Sequence, residues 1–342
     1  MDAIERLGLP ESRWIDVQGP VHYRLWDGPP GGPTFVCVHG LGGSLLNWVP
    51  VAPQLAQRGP LVALDLAGFG LTPLEERGAG VGSNWRLLDG FLRVLDLPPV
   101  VLIGNSMGGM VSLIQAAHTP ASVESLVLVD AAFPRTSTVQ GQFHPRVASL
   151  FALYSTTRVG EWFARMRSRR LGPEGLVRET LRVAAANPSS VDPLLVQAMV
   201  EQTRRRQEFD YATPAFLAAA RSIFRAQVAP GRYRALVQSV ACPALVVQGA
   251  RDRLVPVAAA KQACADHPNW KLVVFDYLGH IPQMEAPERW LREVEQWLDK
   301  RGESQTAGGP LTTSQRPSGA RPAPPPWQPP GTRCPGACPS RR

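Results

Sequence analysis

The apolar residues of this chain gather into short unbroken runs, and between the runs lie stretches with a helical repeat. Thr34-Phe35-Val36-Cys37-Val38, Leu61-Val62-Ala63-Leu64-Asp65, Val100-Val101-Leu102-Ile103 and Ser125-Leu126-Val127-Leu128-Val129-Asp130 are too short for helices and show no polar face. That is the pattern of strands covered on both sides. Asn84 to Leu95 places Leu87, Leu88, Phe91, Leu92 and Leu95 on one side of a helix. Ser106 to about His118 predicts another, and a third helical pattern ends near Leu55. After a long gap come the strand Ala244–Gln248, a helix near Val257–His267, the strand Leu272–Phe275 and a last helix from about Pro287 to Lys300. At the start, Trp14–Val17 and Val21–Trp26 alternate on either side of Gly19-Pro20, as a hairpin does. The alternation predicts an α/β fold: a mostly parallel central sheet of about eight strands, flanked by helices.

The gap falls after the sixth strand. From 135 to 234 the pattern is helical and arginine-rich, with no strand, so it reads as an insertion into a single core formed by 1–134 and 235–301. Phe151, Tyr154, Trp162, Phe163 and Met166, and further on Phe209, Phe216 and Phe224, are its candidates for an apolar lining. Residues 302–342 hold ten prolines among Gly, Ser and Arg. Such a composition cannot bury a core, and a disordered tail is expected there. Pro324-Pro325-Pro326 offers a polyproline segment, but a passive tail is the simpler expectation.

Charge alters this picture little. The net charge of +8 belongs to the insertion, with sixteen Arg and no Lys against seven acids over 135–235, and to the tail, with five Arg against Glu303. No recognition motif or aromatic–basic interleaving accompanies it, so a solvated arginine surface is expected and nucleic acid is not. No apolar run approaches the length of a membrane span, and Met1-Asp2-Ala3-Ile4-Glu5-Arg6 lacks the apolar stretch of a secretory signal. The five cysteines (Cys37, Cys242, Cys264, Cys334, Cys338) have no framework spacing, so reduced thiols and a cytoplasmic setting are expected. There is no dinucleotide fingerprint after the first strand and no clustered metal ligands, so no cofactor and no metal are expected.

Chemistry concentrates at Gly104-Asn105-Ser106-Met107-Gly108-Gly109, a G-x-S-x-G motif between a strand and a helix. A turn that tight lifts the serine hydroxyl clear of the sheet, and its glycines remove side chains that would collide. Ser106 is the candidate nucleophile. It needs a base and a carboxylate to orient that base. Of six histidines, His280 alone lies in the loop between the last strand and the last helix, at the C-terminal edge where a parallel sheet gathers its site. His22 lies in the hairpin, His118 at the far end of the helix begun by Ser106, and His267 at a helix end, where a surface position is expected. His144, in the insertion, stands as a candidate substrate contact. Asp252 follows the Ala244–Gln248 strand and is the first choice for the acid; Asp130, which also ends a strand at that edge, is the second. Asp65 ends a strand ahead of Ala67-Gly68-Phe69-Gly70 and reads as structural.

The order Ser106, Asp252, His280, with Val38-His39-Gly40-Leu41-Gly42-Gly43-Ser44, Leu64-Asp65-Leu66-Ala67-Gly68-Phe69-Gly70 and Gly249-Ala250-Arg251-Asp252, resembles the α/β-hydrolase fold superfamily over about residues 12–301. The resemblance implies that the insertion is a helical cap or lid and that His39-Gly40 is the oxyanion turn. It further implies oxyanion donors in the backbone N–H groups of Leu41 and Met107, and a packing role for His39. A serine at the elbow argues against the dehalogenases and epoxide hydrolases of this fold, which use aspartate. The expected activity is that of a serine hydrolase, carboxylesterase- or lipase-like. It would cleave a small-molecule ester with an apolar acyl or alkyl group through an acyl-enzyme. The alternatives are a carbon–carbon bond hydrolase of ring-fission products and a non-enzymatic ligand sensor. The carbon–carbon hydrolases usually carry a more glycine-rich oxyanion turn followed by proline, from which this chain departs. The perhydrolases tend to a proline close to the oxyanion position, and Leu41-Gly42 departs from that too. Oligomeric state is not written in these motifs.

Overall fold

A computed structural model of the chain describes residues 2–134, 149, 152–154 and 156–307. Eight strands form one sheet: β1 (Arg13–Asp16), β2 (Pro20–Trp26), β3 (Phe35–Val38), β4 (Leu61–Leu64), β5 (Val100–Asn105), β6 (Val123–Val129), β7 (Ala244–Gly249) and β8 (Trp270–Phe275). Their order is β1-β2-β4-β3-β5-β6-β7-β8. β1 and β2 pair antiparallel, β2 joins β4 antiparallel, and the other pairs are parallel. The apolar runs become the inner strands because successive side chains enter opposite layers. In β5, Val100 and Leu102 join one core with Phe91 and Val111, while Val101 and Ile103 join the other with Trp48 and Trp290. Helices Val81–Val94 and Met107–His118 supply the first layer, and Pro287–Ala307 supplies the second.

Between β6 and β7 run helices Arg158–Ala184, Pro193–Gln207, Ala212–Val228 and Gly231–Gln238, with no strand among the described residues. The first of these breaks at Gly172 (φ 62°), where Pro173 starts a new helical run with its fixed φ and missing N–H. The aromatic residues of this segment do not share one environment. Tyr154 is 3% exposed and Phe216 packs on the core, whereas Trp162 is 65% exposed. Phe151 and His144 lie outside the described residues, as do Cys334, Cys338 and the tail from 308 onward. The last helix continues to Ala307, past Gly302, where the tail was expected to begin. Among the described residues, no helix is long and apolar enough to cross a membrane.

His267 corrects the expected surface position. It is 5% exposed, its ring stacks on Trp270 with centroids 3.8 Å apart, and its two nitrogens reach the carbonyls of Ala263 (2.7 Å) and Val237 (3.0 Å). A helix end becomes an interior position here because helix Gly231–Gln238 closes over it, a long-range contact that no local pattern announces.

The helix after β5 lies unusually close to the sheet. A Cβ on Gly108 would collide with the carbonyl oxygens of Val38 and His39, and one on Gly104 would come within 2.6 Å of Gly108 and Ser112. Gly108→Ala therefore forces the helix off β3 and should cost on the order of 1–3 kcal/mol, the usual price of overpacking a rigid site. A denaturant midpoint equal to wild type would show that this approach has slack.

Candidate active site

Ser106 joins β5 to helix Met107–His118 with φ 55° and ψ −115°, a conformation that non-glycine residues avoid. Such strain persists only where the surroundings hold it. Here the Ser106 N–H donates to the Val129 carbonyl (3.0 Å), and its own carbonyl accepts from Met110 (3.1 Å) and Ala132 (3.1 Å). Ser106 remains half-buried among fully buried neighbours, so its side chain is open to a ligand.

The turn after β3 lies against this elbow: a Cβ on Gly40 would sit 3.1 Å from the Ser106 Cβ. His39 anchors the turn. Its Nε2 accepts from the Leu66 N–H (3.0 Å) and its Nδ1 donates to the Gly40 carbonyl (2.8 Å), the pattern of a neutral ring. Burial lowers its pKa in keeping with that. Leu41 follows in the turn, and the Met107 N–H is the first of its helix. First-turn N–H groups have no intrahelical acceptor and lie at the positive end of the helix dipole.

His280 is brought in from the loop after β8. Its Nδ1 donates to Asp252 Oδ2 at 2.7 Å, leaving Nε2 as the ring's acceptor. Asp252 also accepts from the backbone N–H groups of Leu254 (2.7 Å) and Val255 (3.1 Å) and from Gln248 Nε2 (3.2 Å), a set that suits an acceptor-only carboxylate. Of the two candidate acids, Asp252 is therefore the one in contact with the imidazole.

Asp130 occupies the adjacent interior. Its Oδ1 accepts from Gln248 Nε2 (2.7 Å) and the Gly249 N–H (2.9 Å), and its buried Oδ2 has no hydrogen-bond partner among the described residues. Burial pushes its carboxyl well above the usual range, and the neighbouring Asp252 pushes it further the same way. Asp130, Asp252 and His280 present donor atoms within 4.8 Å of one another, a set that resembles a metal site. The 2.7 Å bond between Asp252 and His280 already engages two of those three groups.

Asp65 proves to be a structural hub. It accepts from Leu45 N–H (2.8 Å), Leu71 N–H (2.9 Å) and His22 Nδ1 (2.8 Å), and His22 Nε2 meets Ser12 Oγ at 3.1 Å. Three contributors escaped the sequence reading. Asn105 Nδ2 bonds the carbonyls of Val129 and His280, both at 3.0 Å, so it ties the elbow to the histidine loop. Gln248 bridges the two aspartates, and its only local signal was an amide at the end of an apolar strand. Glu285, the last residue of the short helix Pro282–Glu285 that follows the His280 loop, carried no signal at all.

A cavity of about 520 Å³ opens beside the turn. Gly42, Gly43 and Gly70 line it from the core, and Tyr154, Leu176, Val177, Met199, Gln202, Arg206 and Phe216 are among the residues that line it from the insertion. Ser106 and His280 are not in its wall; the cavity begins one residue from Leu41. Arg206 donates to the Gly68 (2.6 Å) and Ala212 (3.2 Å) carbonyls and lies over the Phe69 ring, while its buried Nε has no partner among the described residues. Burial brings its pKa down to about 10, so the guanidinium stays charged at neutral pH.

Residues 33–287 match the family described as the alpha/beta hydrolase fold, and the chain belongs to it. An uncharacterized hydrolase of Bacillus subtilis, YugF, is 28% identical over 275 residues, covering 78% of this chain and 90% of that protein. A 2-hydroxy-6-oxononadienedioate/2-hydroxy-6-oxononatrienedioate hydrolase of Cupriavidus pinatubonensis is 27% identical over 295 residues, covering 84% of this chain and 95% of the relative. Among solved structures, that of a putative lipase from Acinetobacter baumannii superposes with a TM-score of 0.70 at 22% identity, over 88% of this chain and 95% of the other, a likeness of fold. The chain is a hydrolase of this fold, and a small molecule is its kind of substrate.

The raised carboxyl of Asp130 has a signed consequence. A carboxyl whose folded-state pKa lies above its unfolded value, about 3.9, favours folding most at acid pH. It loses that contribution as pH rises from the unfolded value through the folded one. Asp130→Asn, which cannot ionise, should gain stability relative to wild type at pH 8 and show little gain near pH 4. Thermal midpoints at the two pH values test this; a gain equal at both would remove titration as its origin.

Proposed function

We propose that the chain is a serine hydrolase that cleaves a carboxylic ester through an acyl-enzyme. The reading rests on Ser106, strained at the elbow, sharing an edge of the sheet with the His280–Asp252 pair. Ser106 Oγ attacks the ester carbonyl carbon while its proton passes to His280 Nε2. Asp252 holds the resulting imidazolium, and the N–H groups of Leu41 and Met107 take the oxyanion. Collapse expels the alcohol, protonated by His280. Water, deprotonated by the same nitrogen, then attacks the acyl-enzyme and releases the acid and Ser106.

The helical insertion serves in this reading as the cap that selects substrate. Leu176, Val177, Met199 and Phe216 in the cavity wall fit an apolar acyl or alkyl chain. A cytoplasmic setting belongs to the same reading. Cys37, Cys242 and Cys264 are free thiols, and burial raises Cys242 and Cys264 to about 11.

One observation favours a second reading. Arg206 and Gln202 in the same cavity suit a carboxylate, as does the likeness to a hydrolase named for dioate substrates. A carbon–carbon bond hydrolase would use the same serine and histidine.

Hydrolysis of p-nitrophenyl esters from acetate to palmitate, beside a vinylogous dienoate, separates the readings. Ester turnover with a chain-length optimum, reduced by on the order of 10⁶-fold in Ser106→Ala and His280→Ala, is the expected result. Serine-dependent cleavage of the dienoate without ester turnover would move the assignment to the second reading. No serine-dependent turnover of either would leave a ligand sensor on this fold.

A further inference from the structure

The main chain of His280 is gripped from two sides. Its carbonyl accepts from Asn105 of the elbow (3.0 Å), and its N–H donates to the Ala184 carbonyl at the end of the long insertion helix (2.6 Å). Gly279 makes this approach possible, since a Cβ there would lie 2.6 Å from the Ala186 nitrogen and 2.9 Å from the Ala185 carbonyl carbon.

A buried carboxylate completes the joint. Glu285 Oε2 accepts from the N–H groups of Ala186 (2.7 Å) and Asn187 (3.1 Å), just beyond the insertion helix, while its Oε1 accepts from the Gly279 N–H (2.8 Å). Arg253, next to Asp252, grips the same segment through the Arg182 (2.6 Å) and Ala185 (3.1 Å) carbonyls. Residues 182–187 are thus held by the Arg182 and Ala185 carbonyls from the acid's loop, by the Ala184 carbonyl from His280, and by the Ala186 and Asn187 N–H groups from Glu285.

We propose that Glu285 is a positioning residue for His280: its carboxylate fixes the histidine loop and fastens it to residues 184–187 of the insertion, so that the imidazole and the insertion are placed together. The inference rests on His280 being the base, as proposed above. Both carboxylate oxygens are acceptors, and one serves each side of the joint. An amide at this position has a single acceptor oxygen, and its NH₂ group would face an N–H. Glu285→Gln can therefore keep the link to Gly279 or the link to Ala186 and Asn187, but not both. Misplacing a catalytic base by about 1 Å costs on the order of 100-fold in rate.

The test compares wild type and Glu285→Gln in full-length protein, well below the unfolding midpoint of each, by steady-state kinetics on p-nitrophenyl acetate and by the rate at which a fluorophosphonate labels Ser106. The expected result is a roughly 10- to 100-fold fall in both kcat and labelling rate, with KM changed by about two-fold or less. A lower midpoint with wild-type kcat and labelling would reduce Glu285 to a structural residue and overturn the proposal. Hydrogen exchange on wild-type protein provides a measurement that needs no variant and no activity. The Gly279, His280, Ala186 and Asn187 amides should open as one unit with equal protection. Fast exchange at Ala186 and Asn187 beside a protected Gly279 and His280 would overturn it as well. Should wild type show neither Ser106-dependent turnover nor labelling, the serine-hydrolase reading fails, and exchange alone decides the coupling.

Discussion

The contact between helix Met107–His118 and the strands beneath it sets the geometry of the whole site, because Gly104 and Gly108 let two backbones approach at a distance no side chain permits. That approach turns the chain so sharply that Ser106 must adopt a positive φ. Its hydroxyl-bearing carbon then stands beside Gly40, and the helix Met107–His118 begins at the next residue. Ser106 is strained because two packed layers leave it no other conformation, and bonds to Val129, Met110 and Ala132 keep the strain in place.

A low-dielectric interior then divides the work between two carboxyls. Asp252 receives the imidazole and two backbone N–H groups, whereas Asp130 receives Gln248 and Gly249 on one oxygen and nothing on the other among the described residues. Two like charges so close in a dry site resist simultaneous ionisation, and burial together with the neighbouring Asp252 raises the Asp130 carboxyl well above the usual range. Gln248, with its NH₂ group directed at both, bridges them.

The insertion is built on a different principle. Most of its arginines are spread over solvent-facing helix surface, with ion pairs such as Arg165–Glu161 and Arg204–Glu174 that contribute little at such exposure. Its informative contacts are those that reach the core, among them Arg206 to Gly68, Ser222 to Val81, Tyr233 to Ala132, and residues 182–187 to the two loops that carry Asp252 and His280. An insertion fastened in this way shapes the cavity beside Leu41 without supplying any of the Ser106, His280 or Asp252 side chains.

The sequence alone determined the strands, the helices between them, the place of the insertion and the serine elbow. Each of these is local: a continuous apolar run, a 3.6-residue repeat, or glycines flanking one serine. His280 stood out as the candidate base for a similarly local reason, since only one histidine follows the last strand. Tertiary structure alone decided which aspartate meets the imidazole, why the Asp130 carboxyl is raised, why His267 is interior, and what Glu285 holds. Each of those depends on residues far apart in the chain meeting in a space that excludes water, and the free energy of a charge or a hydrogen bond there is set by what surrounds it rather than by its neighbours in sequence.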